Sequence, residues 1–232
     1  MMTEPECRSR HGFRERPLNL LVTFVVAGLL FAVFAVAPGC APFSEMQSAK
    51  LVGEDRVEVT PNWSQVSFSN DGESSEILTH VGLQLATGVA DGTDLRVRYE
   101  RMDIEGEDGN VYNVLGFGPK FAIERDRSAL YLPVGFAFGD NVIDGSKTWQ
   151  FHPTLLFTVP LGDALEFNPS GKALIPLGDD DLDVMFALNL GAGLSADFES
   201  WVIRPEIGFL FNTDTDAEGH FVHYSIGLTL FP

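Results

Sequence analysis

His223, Tyr224 and Ser225 form the one arrangement in this chain suited to nucleophilic catalysis. Residues two apart on a β-strand share a face, so the His223 imidazole and the Ser225 hydroxyl would lie side by side. A third group must orient the imidazole, and none of the seven residues after Ser225 is acidic. His220 and His223 resemble a metal pair by spacing only, because residues three apart on a strand face opposite ways. Clustered carboxylates are the next candidates: Asp71, Glu73 and Glu76; Glu105, Glu107 and Asp108; Asp140 and Asp144; Asp179, Asp180, Asp181 and Asp183; Asp214, Asp216 and Glu218. Carboxylates are hard ligands for Ca²⁺ or Mg²⁺, which makes divalent cations candidate partners; solvated acidic loops explain the same residues. A third set alternates along runs with strand character: Arg96, Arg98 and Glu100, then Lys120, then Glu166, Lys172, Asn189, Arg204 and Glu206. Charges inside a protein must pair or stay wet, so these point to a narrow, charged, salt-bridged interior. There is no phosphate-cradling glycine loop, CxxC pair or nucleophile elbow. These patterns assign no catalytic residue, no cofactor and no specific metal site.

The elements that carry the charges follow a rhythm. Strand-like runs fall at about 56–68, 77–89, 94–103, 111–124, 129–138, 149–160, 165–176, 184–196, 201–211 and 221–231. Most have the roughly 9–11 residues that a tilted strand needs to cross a bilayer. The links alternate short (90–93, 125–128, 161–164, 197–200) and long (69–76, 104–110, 139–148, 177–183, 212–220). One face is apolar, with Leu95, Val97 and Tyr99, then Leu115, Phe117 and Phe121, then Ile203, Ile207 and Phe209. The other holds the charges with Gly116, Gly118, Gly135, Gly191, Gly193 and Gly208. Trp149, Trp201, Tyr99 and Phe221 near strand ends suit an aromatic girdle. The expectation is an all-β, closed, antiparallel up-and-down barrel of ten strands, transmembrane, with an apolar exterior and a polar lumen. The count falls to eight if the first run is irregular where its alternation slips near Pro61–Trp63. A lipid-tethered soluble barrel with the apolar face inside, binding an apolar ligand as lipocalins do, is the alternative.

Composition narrows the class. The 232 residues carry a formal charge of −18, which argues against nucleic acid and against docking on an anionic membrane surface. Arg8, Arg10, Arg14 and Arg16 precede the apolar run Leu20–Ala37, so residues 1–39 read as a secretory signal peptide. The run is almost long enough to remain as a transmembrane anchor. The only cysteines are Cys7 and Cys40; removal of the signal leaves no disulfide. Residues 40–55 read as a polar tether and 56–232 as the barrel.

Ala37-Pro38-Gly39-Cys40 resembles the lipobox of bacterial lipoproteins, with Ala37 in place of the usual leucine. That resemblance implies a lipid on Cys40, in the leaflet next to the short turns. The chain from Arg56 onward resembles a small Gram-negative outer-membrane β-barrel. Its last run, Ser225-Ile226-Gly227-Leu228-Thr229-Leu230-Phe231-Pro232, is similar to the C-terminal signal that such barrels present to their insertion machinery, except that Pro232 replaces the terminal aromatic. The resemblance implies outer-membrane lipids and the insertion machinery as partners, and a porin-like, structural or surface-interaction role. His223 and Ser225 are similar to the His-x-Ser pair of outer-membrane lipid A deacylases, but Ile226 stands where that family has asparagine. Asp214-Thr215-Asp216-Ala217-Glu218-Gly219 resembles the opening of an EF-hand loop, whose twelfth position, Ser225 here, requires a glutamate.

Overall fold

The structure is a computed structural model that describes residues 43–70, 73–106, 111–179, 182–212 and 219–232. Its strands form a single sheet: β1 (Val57–Asn70), β2 (Glu73–Ala90), β3 (Thr93–Ile104), β4 (Val111–Glu124), β5 (Ser128–Tyr131), β6 (Val134–Phe138), β7 (Gln150–Phe151), β8 (Thr154–Phe157), β9 (Val159–Pro160), β10 (Leu165–Pro176), β11 (Met185–Leu194), β12 (Trp201–Asn212) and β13 (His220–Leu230). Two interruptions come from proline, which has no N–H to give the ladder. β5 and β6 are one stave broken at Leu132-Pro133, and β7, β8 and β9 are one stave broken at His152-Pro153 and again at Thr158. Thirteen strands thus make ten staves. Backbone bonds span the breaks, with Leu132 N–H donating to Pro119 O at 3.0 Å and His152 N–H to Pro133 O at 2.9 Å.

All strand pairs are antiparallel, and the ring closes because Gln65 of β1 faces Thr79 of β2 on one side and Tyr224 of β13 on the other. Closure leaves no sheet edge. The eight-strand possibility does not hold. Thr60, Asn62, Ser64 and Val66 point inward and Pro61 and Trp63 outward, so the first stave alternates without a slip there. Its one register shift lies between Val66 and Ser67. A second correction concerns the expected loop at 69–76. The β1–β2 ladder runs on until Asn70 faces Glu73, so residues 69–70 and 73–76 belong to the two strands.

Turn chemistry suits each end. Gly92 adopts φ 75 in the short β2–β3 link, a conformation glycine reaches without Cβ strain. In the short β11–β12 link, the Asp197 carboxylate accepts from Glu199 N–H at 3.1 Å and Ser200 Oγ at 2.6 Å. These bonds, the Ser200 hydroxyl first, hold the Asp197 carboxyl below the usual carboxylate range. At the other end, Asp144 accepts from Ser146 N–H and Oγ and caps a short helical turn, Gly145–Thr148.

The two faces of the wall separate by polarity. Val81, Leu85, Val97, Phe117, Leu188 and Ile226 are exposed on the outside. In water each such side chain forgoes about 1.5–3 kcal/mol of burial, and a continuous belt of them marks a surface made for an apolar medium. The inner face buries Arg96, Arg98, Glu100, Lys120, Glu166, Lys172, Arg204 and Glu206. This overturns the lipocalin-like alternative, because the concave wall is charged rather than apolar. Glycine makes the room: a Cβ on Gly82 would lie 2.2 Å from Glu100 Oε2, and one on Gly193 would lie 2.7 Å from Glu166 Oε1.

The expected tether is also corrected. Residues 43–52 lie inside the barrel, where Ser44, Glu45, Met46, Gln47, Ser48, Ala49 and Val52 are all buried. Val52 N–H donates to Asp94, beside the short β2–β3 turn. Phe43 packs on Leu174, Ala187 and Leu210 with Phe221, in the half nearer the long links. The segment therefore runs the length of the lumen. Cys40 and the signal segment lie outside the described residues.

Candidate functional site

The lumen is a set of charged wall residues closed around residues 43–52. Alternation on ten staves aims every second side chain inward, and so brings residues distant in sequence to one axis. Arg96 donates to Glu58 at 2.6 Å, Arg98 to Glu100 at 2.7 Å, and Arg204 to Glu166 at 3.2 Å. The N-terminal segment adds two partners of its own. Lys50 pairs with Glu166 at 2.6 Å, and Glu45 pairs with Lys172. Including the segment, Arg96, Arg98, Lys120, Lys172, Arg204 and Lys50 face Glu58, Asp94, Glu100, Glu166, Glu206 and Glu45. Cations and carboxylates balance, as buried charge requires.

Most of the grip on the segment is on its backbone. Glu206 accepts from Glu45 N–H at 2.7 Å and from Met46 N–H at 2.8 Å, one bond to each carboxylate oxygen. Two successive amides converge on one anion because Met46 takes φ 50, the left-handed turn of an anion-binding nest. Lys120 Nζ donates to Ser48 O at 2.8 Å and Lys50 O at 2.7 Å. Arg98 donates to Ser44 O and, at 2.8 Å, to Ser44 Oγ. Gln84 donates to Glu45 O at 3.1 Å, and Asn189 to Phe43 O at 3.2 Å. Thr158 Oγ1 accepts from Ala49 N–H at 2.7 Å.

The six charged residues expected in the lumen, Arg96, Arg98, Glu100, Lys120, Arg204 and Glu206, are therefore all buried on the inner wall. Their arrangement around an internal segment was not legible in the strand pattern. Glu45, Lys50, Glu58 and Asp94 complete the site. The signal that could have found the first two is a charge pair in an otherwise uncharged stretch, Glu45 to Lys50, facing an interior with Lys172 and Glu166 to match.

His223 and Ser225 do meet, with Nδ1 2.9 Å from Ser225 Oγ. The other ring nitrogen is 3.1 Å from Asn189 Oδ1 and 4.0 Å from Glu206 Oε1. Folding thus supplies the orienting group that the linear sequence lacks. Both side chains are buried on the inner wall, however, and Tyr224 between them is the one turned outward. His220 is exposed and His223 buried, on opposite faces as the alternation requires. Among the described residues no cluster of three or more side chains could hold a metal ion. Asp71, Glu107, Asp108, Asp180, Asp181, Asp214, Asp216 and Glu218, with the EF-hand-like segment, lie outside them.

No protein-family model matches this chain, and no curated protein matches it. Solved structures do. An outer membrane channel from Pseudomonas putida F1 is 12% identical, covers 82% of this chain and 100% of its own, and superposes with a TM-score of 0.50. The NanC porin is 8% identical over 75% of this chain and 98% of its own, TM-score 0.44. The translocator domain of the autotransporter NalP from Neisseria meningitidis is 8% identical over 90% and 97%, TM-score 0.42. The fold is that of the outer-membrane β-barrels.

Proposed function

We propose that this chain is an exported outer-membrane barrel without catalytic activity, its charged lumen closed by its own N-terminal segment. One observation carries this reading: the wall is apolar outside and charged and glycine-rich inside. In a bilayer the belt costs nothing in exposed surface, and the lumen charges stay paired. Passage of small solutes, in the manner of a porin, depends on withdrawal of residues 43–52. The acidic links are then surface features open to divalent cations, and Ser225–Pro232 is the segment offered to the insertion machinery. Absence of catalysis is supported by the placement of the Ser225 hydroxyl, which faces the occupied lumen while lipids meet the opposite face.

Residues 1–39 are proposed as a signal peptide and Cys40 as a lipid site. Phe43 lies in the half nearer the long links, and the three residues back to Cys40 span at most about 10 Å. The strand from Phe221 to Leu230 covers about 30 Å. A lipid on Cys40 therefore reaches the leaflet beside the short turns only if the segment leaves the lumen.

Gel mobility of outer-membrane fractions from cells fed a labelled fatty acid tests both parts. The expected result is a band that shifts on boiling and carries label, with the label lost in Cys40→Ser. Absence of a shift overturns the barrel reading, and label that persists in Cys40→Ser overturns lipidation at that residue.

A further inference from the structure

The wall reads the N-terminal segment as a receptor reads a peptide. Four of the segment's amides (Glu45, Met46, Ala49 and Val52) donate to wall side chains, and five of its carbonyls (Phe43, Ser44, Glu45, Ser48 and Lys50) accept from them. Main-chain bonds give affinity that is independent of sequence, and side-chain pairs then set register and direction. Here the pairs are Glu45 with Lys172 and Lys50 with Glu166. They distinguish one threading direction from its reverse, since a reversed peptide would bring lysine to Lys172 and glutamate to Glu166.

Such an arrangement exceeds what blocking a narrow channel requires. An apolar or bulky filler would close the lumen without nine wall bonds to its main chain, and burying charged side chains to make such bonds is costly. The segment is also joined to the wall by a slender connection. Gly53, Glu54 and Asp55 are exposed at the short-turn mouth, so occupant and barrel are covalently continuous through a surface link alone.

We propose that the lumen is a binding site for a single peptide strand, read through its backbone, that carries an acidic residue and a basic residue five positions later. Residues 43–52 are its resident ligand, and a peptide of the same pattern takes their place when they leave. The proposal rests on the reading of the lumen as closed by this segment, and it adds the class of ligand. Residence in cis gives the segment a high effective concentration, so exchange requires that the link be cut.

The test inserts a protease site between Glu54 and Asp55 in the full-length chain, which is purified folded and then cleaved. The expected result has three parts: the released fragment stays with the barrel through gel filtration, labelled peptide of sequence Phe43–Val52 displaces it saturably, and a scrambled peptide of the same composition binds at least tenfold more weakly. Prompt loss of the fragment with no peptide binding overturns the proposal, as does equal binding of the scrambled peptide. The boiling shift of the uncleaved protein is scored separately, so failure of the barrel reading is distinguishable from failure of peptide binding. If the insertion blocks folding, hydrogen exchange on the unmodified chain decides. Strong protection at Glu45, Met46, Ala49 and Val52 supports a bound segment, and exchange at unstructured rates overturns it.

Discussion

Replacing Glu206 with leucine is expected to loosen the segment at Glu45 and Met46 while the barrel wall stays closed. The carboxylate accepts from two successive amides, Glu45 and Met46, at 2.7 and 2.8 Å. Leucine offers neither acceptor, so two buried N–H groups lose their partners at about 1–3 kcal/mol each. The left-handed conformation of Met46, φ 50, also loses the anion that organises it. A combined loss near 3 kcal/mol predicts roughly hundredfold faster hydrogen exchange at these amides. Glu206→Gln should produce a smaller effect, because one carbonyl oxygen remains. The ladders from Glu206 to Gly191 and Ser225 are backbone pairings and do not depend on the side chain, so the boiling shift should survive. Unchanged exchange in Glu206→Leu would mean that the segment is not held at this point.

Gly118→Val is expected to abolish the folded barrel. A Cβ at Gly118 would lie 2.4 Å from Leu132 O and 2.5 Å from Pro133 Cα, both backbone atoms at the break between β5 and β6. No rotamer change relieves that overlap; the staves must part, between the pairings Phe117–Val134 and Lys120–Tyr131. Gly116, two residues earlier and also turned inward, provides the control. Its added Cβ would meet only Val134 O at 3.8 Å, an ordinary contact. Gly116→Ala should keep the heat-modifiable band that Gly118→Val loses. Equal behaviour of the two variants would contradict the close approach at the Leu132-Pro133 break.

The wall was legible in the sequence because a strand that meets an apolar medium on one side and charge on the other must alternate. Runs such as Leu95-Arg96-Val97-Arg98-Tyr99-Glu100 show that directly, and the alternation of short and long links orders the staves. The proline breaks were legible in principle, since Pro133 and Pro153 lack an N–H, although the expected runs passed through both. The occupant of the lumen was not legible. Ser44-Glu45-Met46-Gln47-Ser48-Ala49-Lys50 has no period of 2 or 3.6 and reads as a solvated tether. Its burial depends on partners as far off as Glu206, which the closed ring alone brings near. The link between His223 and Asn189 was hidden for the same reason, as it joins staves two apart, across Gly208 of β12.

The central claim is that the apolar face meets lipid and the charged face does not, and the native tryptophans test it without any substitution. Trp63 is 40% exposed on the outer wall between Val81 and Ile226, and Trp149 lies outside, its ring stacked 4.7 Å from that of Phe136. In vesicles with brominated acyl chains, the folded protein is predicted to lose most of its tryptophan fluorescence while aqueous iodide quenches it little. Strong quenching by iodide with none by brominated lipid would place the belt in water and contradict the account.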